Sequence, residues 1–145
     1  QDGLVRNLRD WGIPLGRRFR ALKLWFVLRS EGVEGLQARI RRDVGNAAWL
    51  ADQVAAAPDW HLMAPAPLQT VCLRHVPAEL AGDEEALAAH NAAIVEQVTA
   101  SGRYYFGTSV LKGRLIVRVS VGAQPTEREH VAGLWAALQA AAGQV

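Results

Sequence analysis

The sequence predicts an α/β chain of α+β arrangement, with an antiparallel sheet carrying helices on one face and a loop and helix in front of it. Three observations predict this. Apolar residues recur at helical spacing between residues 17 and 57 and again after residues 83 and 127. Between residues 104 and 122 they alternate instead. Proline and glycine fall mostly where these patterns change. Period 3.6 marks a helix with one buried stripe, and period 2 marks a strand with one buried face.

A first helix is expected over residues 17–30. Pro14 and Gly16 keep the segment before it out of a helix. Leu22, Trp25, Phe26 and Leu28 are spread around it, which predicts cover on several sides. Gly32 is the expected left-handed stop. A second helix is expected over 34–57, with Leu36, Ile40, Val44, Ala47, Ala51 and Val54 on one stripe and Pro58 ending it. Gly45 inside it costs about 1 kcal/mol relative to alanine.

Two extended segments follow, 60–63 and 68–76, parted by Pro65 and Pro67. Asp83 is the expected N-cap of a third helix, with Leu87, Ile94 and Val98 facing inward. Residues 104–122 form a hairpin that turns at Lys112-Gly113, with Leu115, Val117, Val119 and Val121 on the inner face. Thr126-Glu127-Arg128-Glu129 reads as a capping box for the last helix, whose buried stripe is Val131, Trp135, Leu138 and Ala142.

Composition narrows the class. A chain of 145 residues, half of them hydrophobic and 21% charged, can bury a real core. A net charge of +2 without a polybasic run gives little support for a nucleic-acid partner. No apolar run reaches the roughly 18 residues of a membrane span. The single Cys72 excludes an intrachain disulfide framework and suits a reducing, cytoplasmic compartment. His61, His75, His90 and His130 show no ligand spacing, so no metal site is expected. The chain opens at Gln1 without methionine, as expected for a cut inside a longer protein.

Residues 8–20, Leu-Arg-Asp-Trp-Gly-Ile-Pro-Leu-Gly-Arg-Arg-Phe-Arg, are more specific than any core helix requires. With Gly-Val-Glu-Gly-Leu-Gln-Ala-Arg-Ile-Arg at 32–41 they resemble the pyridoxal-phosphate-dependent group II amino-acid decarboxylases, of which aromatic-L-amino-acid decarboxylase is the best-known member. The strand Gly-Arg-Leu-Ile-Val-Arg-Val-Ser-Val-Gly at 113–122, then Thr126 to Val131 and Trp135, extend the resemblance. Between 45 and 103 it is mainly pattern.

The resemblance implies the C-terminal part of a fold-type I, aspartate-aminotransferase-like subunit. Residues 1–16 would be the end of the active-site loop, 17–57 connecting helices and 58–145 the small C-terminal domain. It implies pyridoxal 5'-phosphate as cofactor and an aromatic L-amino acid as substrate, with carbon dioxide leaving and the cofactor ring holding the electron pair. The partners implied are the remainder of the subunit and a second subunit as a homodimer. In such enzymes the loop excludes water and delivers a proton in the neighbouring subunit's site.

The chain departs from the family in lacking the segment with the lysine to which the cofactor attaches, the acid facing the ring nitrogen and the histidine on the ring. Its only lysines are Lys23, in a helix, and Lys112, in a turn. This part alone is therefore expected to be inactive. Arg9 matches a loop arginine implicated in catalysis, and Gly16 matches a position near the neighbour's cofactor and substrate ring.

Each residue also has a plainer reading. Arg9 can be a solvated loop arginine and Gly16 a turn glycine before a helix. Arg17, Arg18 and Arg20 can bind phosphate, or simply form a solvated or paired helix face. Two other classes compete. A free-standing α/β module could bind a small ligand or RNA. Tyr104, Tyr105 and Phe106 are consecutive, though, and do not form the alternating stacking platform of an RNA-binding sheet. A dimerising remnant without chemistry is the third reading. Both leave the Trp11-Gly12-Ile13-Pro14 arm without a purpose.

Overall fold

The computed structural model describes Gly16 and residues 18–145. It contains α1 (Arg20–Ala56), β1 (Trp60–Leu62), β2 (Thr70–His75), a 3-10 turn (Ala78–Leu80), α2 (Glu84–Ala100), β3 (Gly107–Leu111), β4 (Arg114–Ser120) and α3 (Arg128–Ala142). The chain divides into two compact units, residues 1–36 and 37–145.

In the first unit α1 begins at Arg20, and its apolar side chains stay in solvent. Leu24 is 61% exposed, Trp25 53% and Phe26 58%, and Phe19, just before the helix, is 71% exposed. The cover expected on several sides is therefore not supplied by the described residues of this unit. Trp25 and Phe26 pack edge to face, with ring centroids 5.1 Å apart. The break expected at Gly32 is present, but it is not a left-handed cap. Its φ of 66° and ψ of 178° fall in a region open essentially only to glycine. The turn is thus extended rather than curled, and helical geometry resumes directly after it.

The second unit is a four-stranded sheet in the order β1-β2-β4-β3, antiparallel throughout. Register pairs Val71 with Val119 and Leu73 with Val117. These four side chains share one face, and all three helices cover it. Leu50 and Val54 of α1, Ile94 and Val98 of α2, and Trp135 and Leu138 of α3 join the same core. Helices on one face, as expected, follow from this alternation.

Details depart from the expected stripes. On α1 the buried face is Asp43, Asn46, Ala47, Leu50, Ala51 and Val54. Ile40 is 54% exposed, so the stripe begins a turn later than the pattern suggested. On β4 Val117, Val119 and Val121 are buried as expected, whereas Leu115 is only half-buried. Ile116, on the opposite face and paired with Ser109, is buried too.

The local signals explain the boundaries. Asp83 caps α2, its carboxylate accepting from the Ala86 N–H at 3.0 Å. Lys112 and Gly113 turn the hairpin with φ of 51° and 78°, the positive values a tight two-residue turn requires. The strands are shorter than the 104–122 pattern, since Tyr104–Phe106 lie outside them. The cap of α3 falls one residue later than expected. Glu127 is the N-cap, and its N–H donates to His130 Nδ1 at 3.0 Å. A capping box is thus present, shifted by one residue, and the Glu127 carboxylate also accepts from Arg42 of α1 at 2.8 Å.

Candidate functional site

Of the residues singled out in the sequence, Arg9 and Arg17 lie outside the described residues. Gly16 is exposed, and a Cβ built there would meet nothing within 4 Å. Arg18 and Arg20 are exposed as well. Lys23 and Lys112 are both in solvent, one on α1 and one at the hairpin tip. A lysine that holds a cofactor covalently must present its amine inside a sheltered cleft. Neither does so, and the residues of this chain do not fit covalent attachment of pyridoxal phosphate.

The structure does gather polar residues at the end of β2, where the sequence showed only scattered ones. Arg74 is 2% exposed. Its two terminal nitrogens donate to the Glu84 carboxylate at 3.0 and 2.6 Å, a two-pronged pair that fixes the first turn of α2 to the sheet. Arg74 Nε is buried without a partner. The Glu84 carboxyl is held below its ordinary range, chiefly by this hydrogen bond. Arg74 and Glu84 open onto a cavity of about 520 Å³, also lined by His61, Met63, Leu87 and Arg114. Two arginines and one carboxylate make its wall net cationic.

One residue further along, His75 turns to the other face. Its Nδ1 lies 2.8 Å from His90 Nε2, and both histidines are 8% exposed. Asn91, fully buried, accepts from the His75 N–H at 2.9 Å and donates to the His75 carbonyl at 2.8 Å. The His75 ring packs on Trp60 at 4.7 Å, and Trp60 meets Trp135 edge-on at 5.0 Å. Burial lowers the basicity of both imidazoles, and the neighbouring His90 lowers His75 further. A run ending Leu-Arg-His, followed by His-Asn on the next helix, was the available signal. Only the fold brings residues 75 and 90 together.

A third polar group ties α1 to α3. Arg128 donates to Asn46 Oδ1 at 2.9 Å and to the Gly45 carbonyl at 3.1 Å, and lies over the Trp49 ring at 5.1 Å. Cys72 is half-buried rather than a buried core residue. Among the described residues no group of three or more His, Cys, Asp or Glu could hold a metal ion. Likewise, none of their helices is long and apolar enough to cross a membrane.

Comparison with known proteins supplies what these clusters do not. Residues 1–76 match the family model described as the pyridoxal-dependent decarboxylase conserved domain. The chain is 36% identical over 139 residues to phenylacetaldehyde synthase of Arabidopsis thaliana, covering 96% of this chain and 28% of that protein. Against tyrosine decarboxylase 4 of Petroselinum crispum it is 40% identical over 137 residues, covering 93% of this chain and 27% of the relative. A crystal structure of Oryza sativa TDC with PLP and tryptamine superposes with a TM-score of 0.81 at 33% identity, over 98% of this chain and 30% of that one. The chain thus spans less than a third of the length of these relatives.

Proposed function

On the premise that the chain belongs to the pyridoxal-dependent decarboxylase family, as the match over its first 76 residues establishes, we propose that it is the C-terminal part of a pyridoxal-phosphate-dependent decarboxylase of aromatic L-amino acids. The observation that carries this is identity of 36–40% to enzymes of aromatic compounds, extending over more than nine-tenths of the chain.

The chemistry is divided between this chain and the rest of the protein. When bound, the cofactor supplies the electron sink for loss of carbon dioxide. Its attachment belongs to the rest of the protein, because the amines of Lys23 and Lys112 both stand in solvent. What this chain contributes, in the proposal, is residues 1–16 as the end of a loop that excludes water, with Arg9 acting in the reaction and Gly16 close to the neighbouring subunit's substrate ring. Residues 17–57 connect, and 58–145 form the small domain.

The partners are the remainder of the same subunit and a second subunit. The apolar residues left in solvent on α1 support this, since Leu24, Trp25, Phe26 and Leu28 are each at least 45% exposed. A cytoplasmic location is part of the same reading and is supported by the single cysteine.

The test is direct. The full-length protein, loaded with cofactor, is given L-tyrosine, L-tryptophan and L-phenylalanine, and carbon dioxide release is measured. Release from at least one is expected, with the corresponding amine as the second product. Absence of release from all three, in a protein carrying stoichiometric cofactor, overturns the substrate class. The chain alone, treated with cofactor and borohydride, is expected to give no stoichiometric adduct on Lys23 or Lys112. Such an adduct would overturn the division of labour.

A further inference from the structure

We propose that His75 and His90 form an acid-sensitive latch, which ties the end of β2 to α2 while the pair is neutral and opens when both rings are protonated. Geometry carries the argument. Nδ1 of His75 and Nε2 of His90 are 2.8 Å apart, so a single proton lies between them. One nitrogen donates and the other accepts. A neutral pair meets this demand. With both imidazoles charged, the facing nitrogens both carry hydrogen. Two donors then point at each other, and two positive charges meet in a site that is 8% exposed on either side. Hydrogen bond and burial are lost together.

The latch holds more than two rings. The N–H and carbonyl of His75 are both bound by Asn91, one residue beyond His90 on α2. Trp60 of β1 packs against His75, and Trp135 of α3 meets Trp60 edge-on. Movement of the His75 ring therefore reaches all three elements packed against it.

The surrounding charges set the direction. Asp59, just before β1, and Glu79, in the 3-10 turn, favour protonation of His75. Glu79 also favours that of His90. Arg74, the neighbour in β2, is engaged by Glu84 of α2. Burial outweighs the two acids, so both rings titrate below their ordinary value of 6.5 in the fold. Opened, each takes its proton nearer 6.5. The closed form is thus favoured fully above pH 6.5, and it is lost as pH falls from there through the lower folded values. Each proton taken up multiplies the open population by up to about tenfold per pH unit.

The experiment uses the full protein and backbone hydrogen exchange read by mass spectrometry, corrected for intrinsic pH dependence. Between about pH 7.5 and 5.5, peptides spanning 70–77 and 84–95 are expected to lose protection roughly tenfold or more, with a smaller loss over 128–142. The pair H75N and H90Q replaces the rings with neutral amides that can still bond, and is expected to abolish the change. Unchanged protection in the unmodified protein, or a change that survives in the double variant, overturns the proposal. Exchange of the imidazole Cε1 hydrogens in unmodified protein gives each ring's midpoint, so the proposal stays testable if the double variant does not fold. Both midpoints are expected below 6.5, and either one at or above 6.5 overturns the latch.

Discussion

Asn91 binds both main-chain groups of His75, accepting from its N–H and donating to its carbonyl, while also donating to the carbonyl of Leu87 one turn back on its own helix. A fully buried side chain thus completes the backbone pairing of β2 where the strand ends. Asn91→Ala leaves two buried backbone groups unpaired, each costing about 1–3 kcal/mol. A loss of about 3–5 kcal/mol is expected, read as a lower urea midpoint at unchanged slope. A loss under about 1 kcal/mol would mean that water replaces the amide.

Arg128 joins α3 to α1 through a forked donor, a carbonyl contact and the Trp49 face. Arg128→Ala should cost about 1–2 kcal/mol, and Arg128→Lys should recover little of it. Lysine lacks the planar fork and stacks poorly on an indole. Full rescue by lysine would reduce the interaction to simple charge.

Two glycines give opposite expectations. A Cβ at Gly45, inside α1, meets nothing within 4 Å, so Gly45→Ala should stabilise by about 0.5–1 kcal/mol. A Cβ at Gly133 would lie 2.5 Å from the Tyr104 hydroxyl oxygen. Gly133→Ala must displace the hydroxyl end of that half-buried ring, and should destabilise by about 1 kcal/mol. Thermal midpoints moving in the same direction for both would contradict this account.

Glu84 has its carboxyl held below the ordinary value of 4.5 by Arg74. Its contribution is present above 4.5 and is lost as pH falls through the lower folded value. Glu84→Gln should therefore lower the urea midpoint at pH 7, with the gap to the parent closing as pH drops below 4.5. A gap independent of pH would show that shape rather than charge matters there.

Gly16→Ser should leave the stability of this chain unchanged, because nothing lies within 4 Å of the added carbon. In the full enzyme the proposal expects a shift in the ratio of kcat/KM values. An indole substrate should lose on the order of 1–3 kcal/mol, and a phenol less. Equal loss on both would make Gly16 a backbone requirement, and no change would remove it from the site.

Where a residue's own chemistry dictates a break, the sequence located it. Asp83 as a cap, Pro58 beyond α1 and Lys112-Gly113 at the hairpin all stand where expected. Position shifts where a distant partner decides. Glu127 takes over the cap of α3 from Thr126 while its carboxylate is recruited by Arg42, 85 positions away. Ile40 fits the helical stripe, yet it lies beyond the reach of the sheet and stays in solvent. The pairing of His75 with His90, and of Arg74 with Glu84, depends on how α2 lies against β2, which no local pattern encodes. Conversely, the residues most telling of family, Arg9 to Leu15, lie outside the described residues.

The strand order β1-β2-β4-β3 has a consequence for timing. β2 sits beside β4, and the pair Thr70 and Ser120 is separated by 50 positions of chain. The core under that pair is closed by Trp135 and Leu138 of the last helix. A ribosome-bound chain that has emerged only to the end of α2 therefore holds β1 and β2 with no neighbour on the inner edge and an uncovered apolar face. Such a segment is a ready partner for aggregation or for a chaperone until the final helix arrives. Slowing translation ahead of β4 would be expected to lower the soluble yield without changing a single contact of the folded molecule.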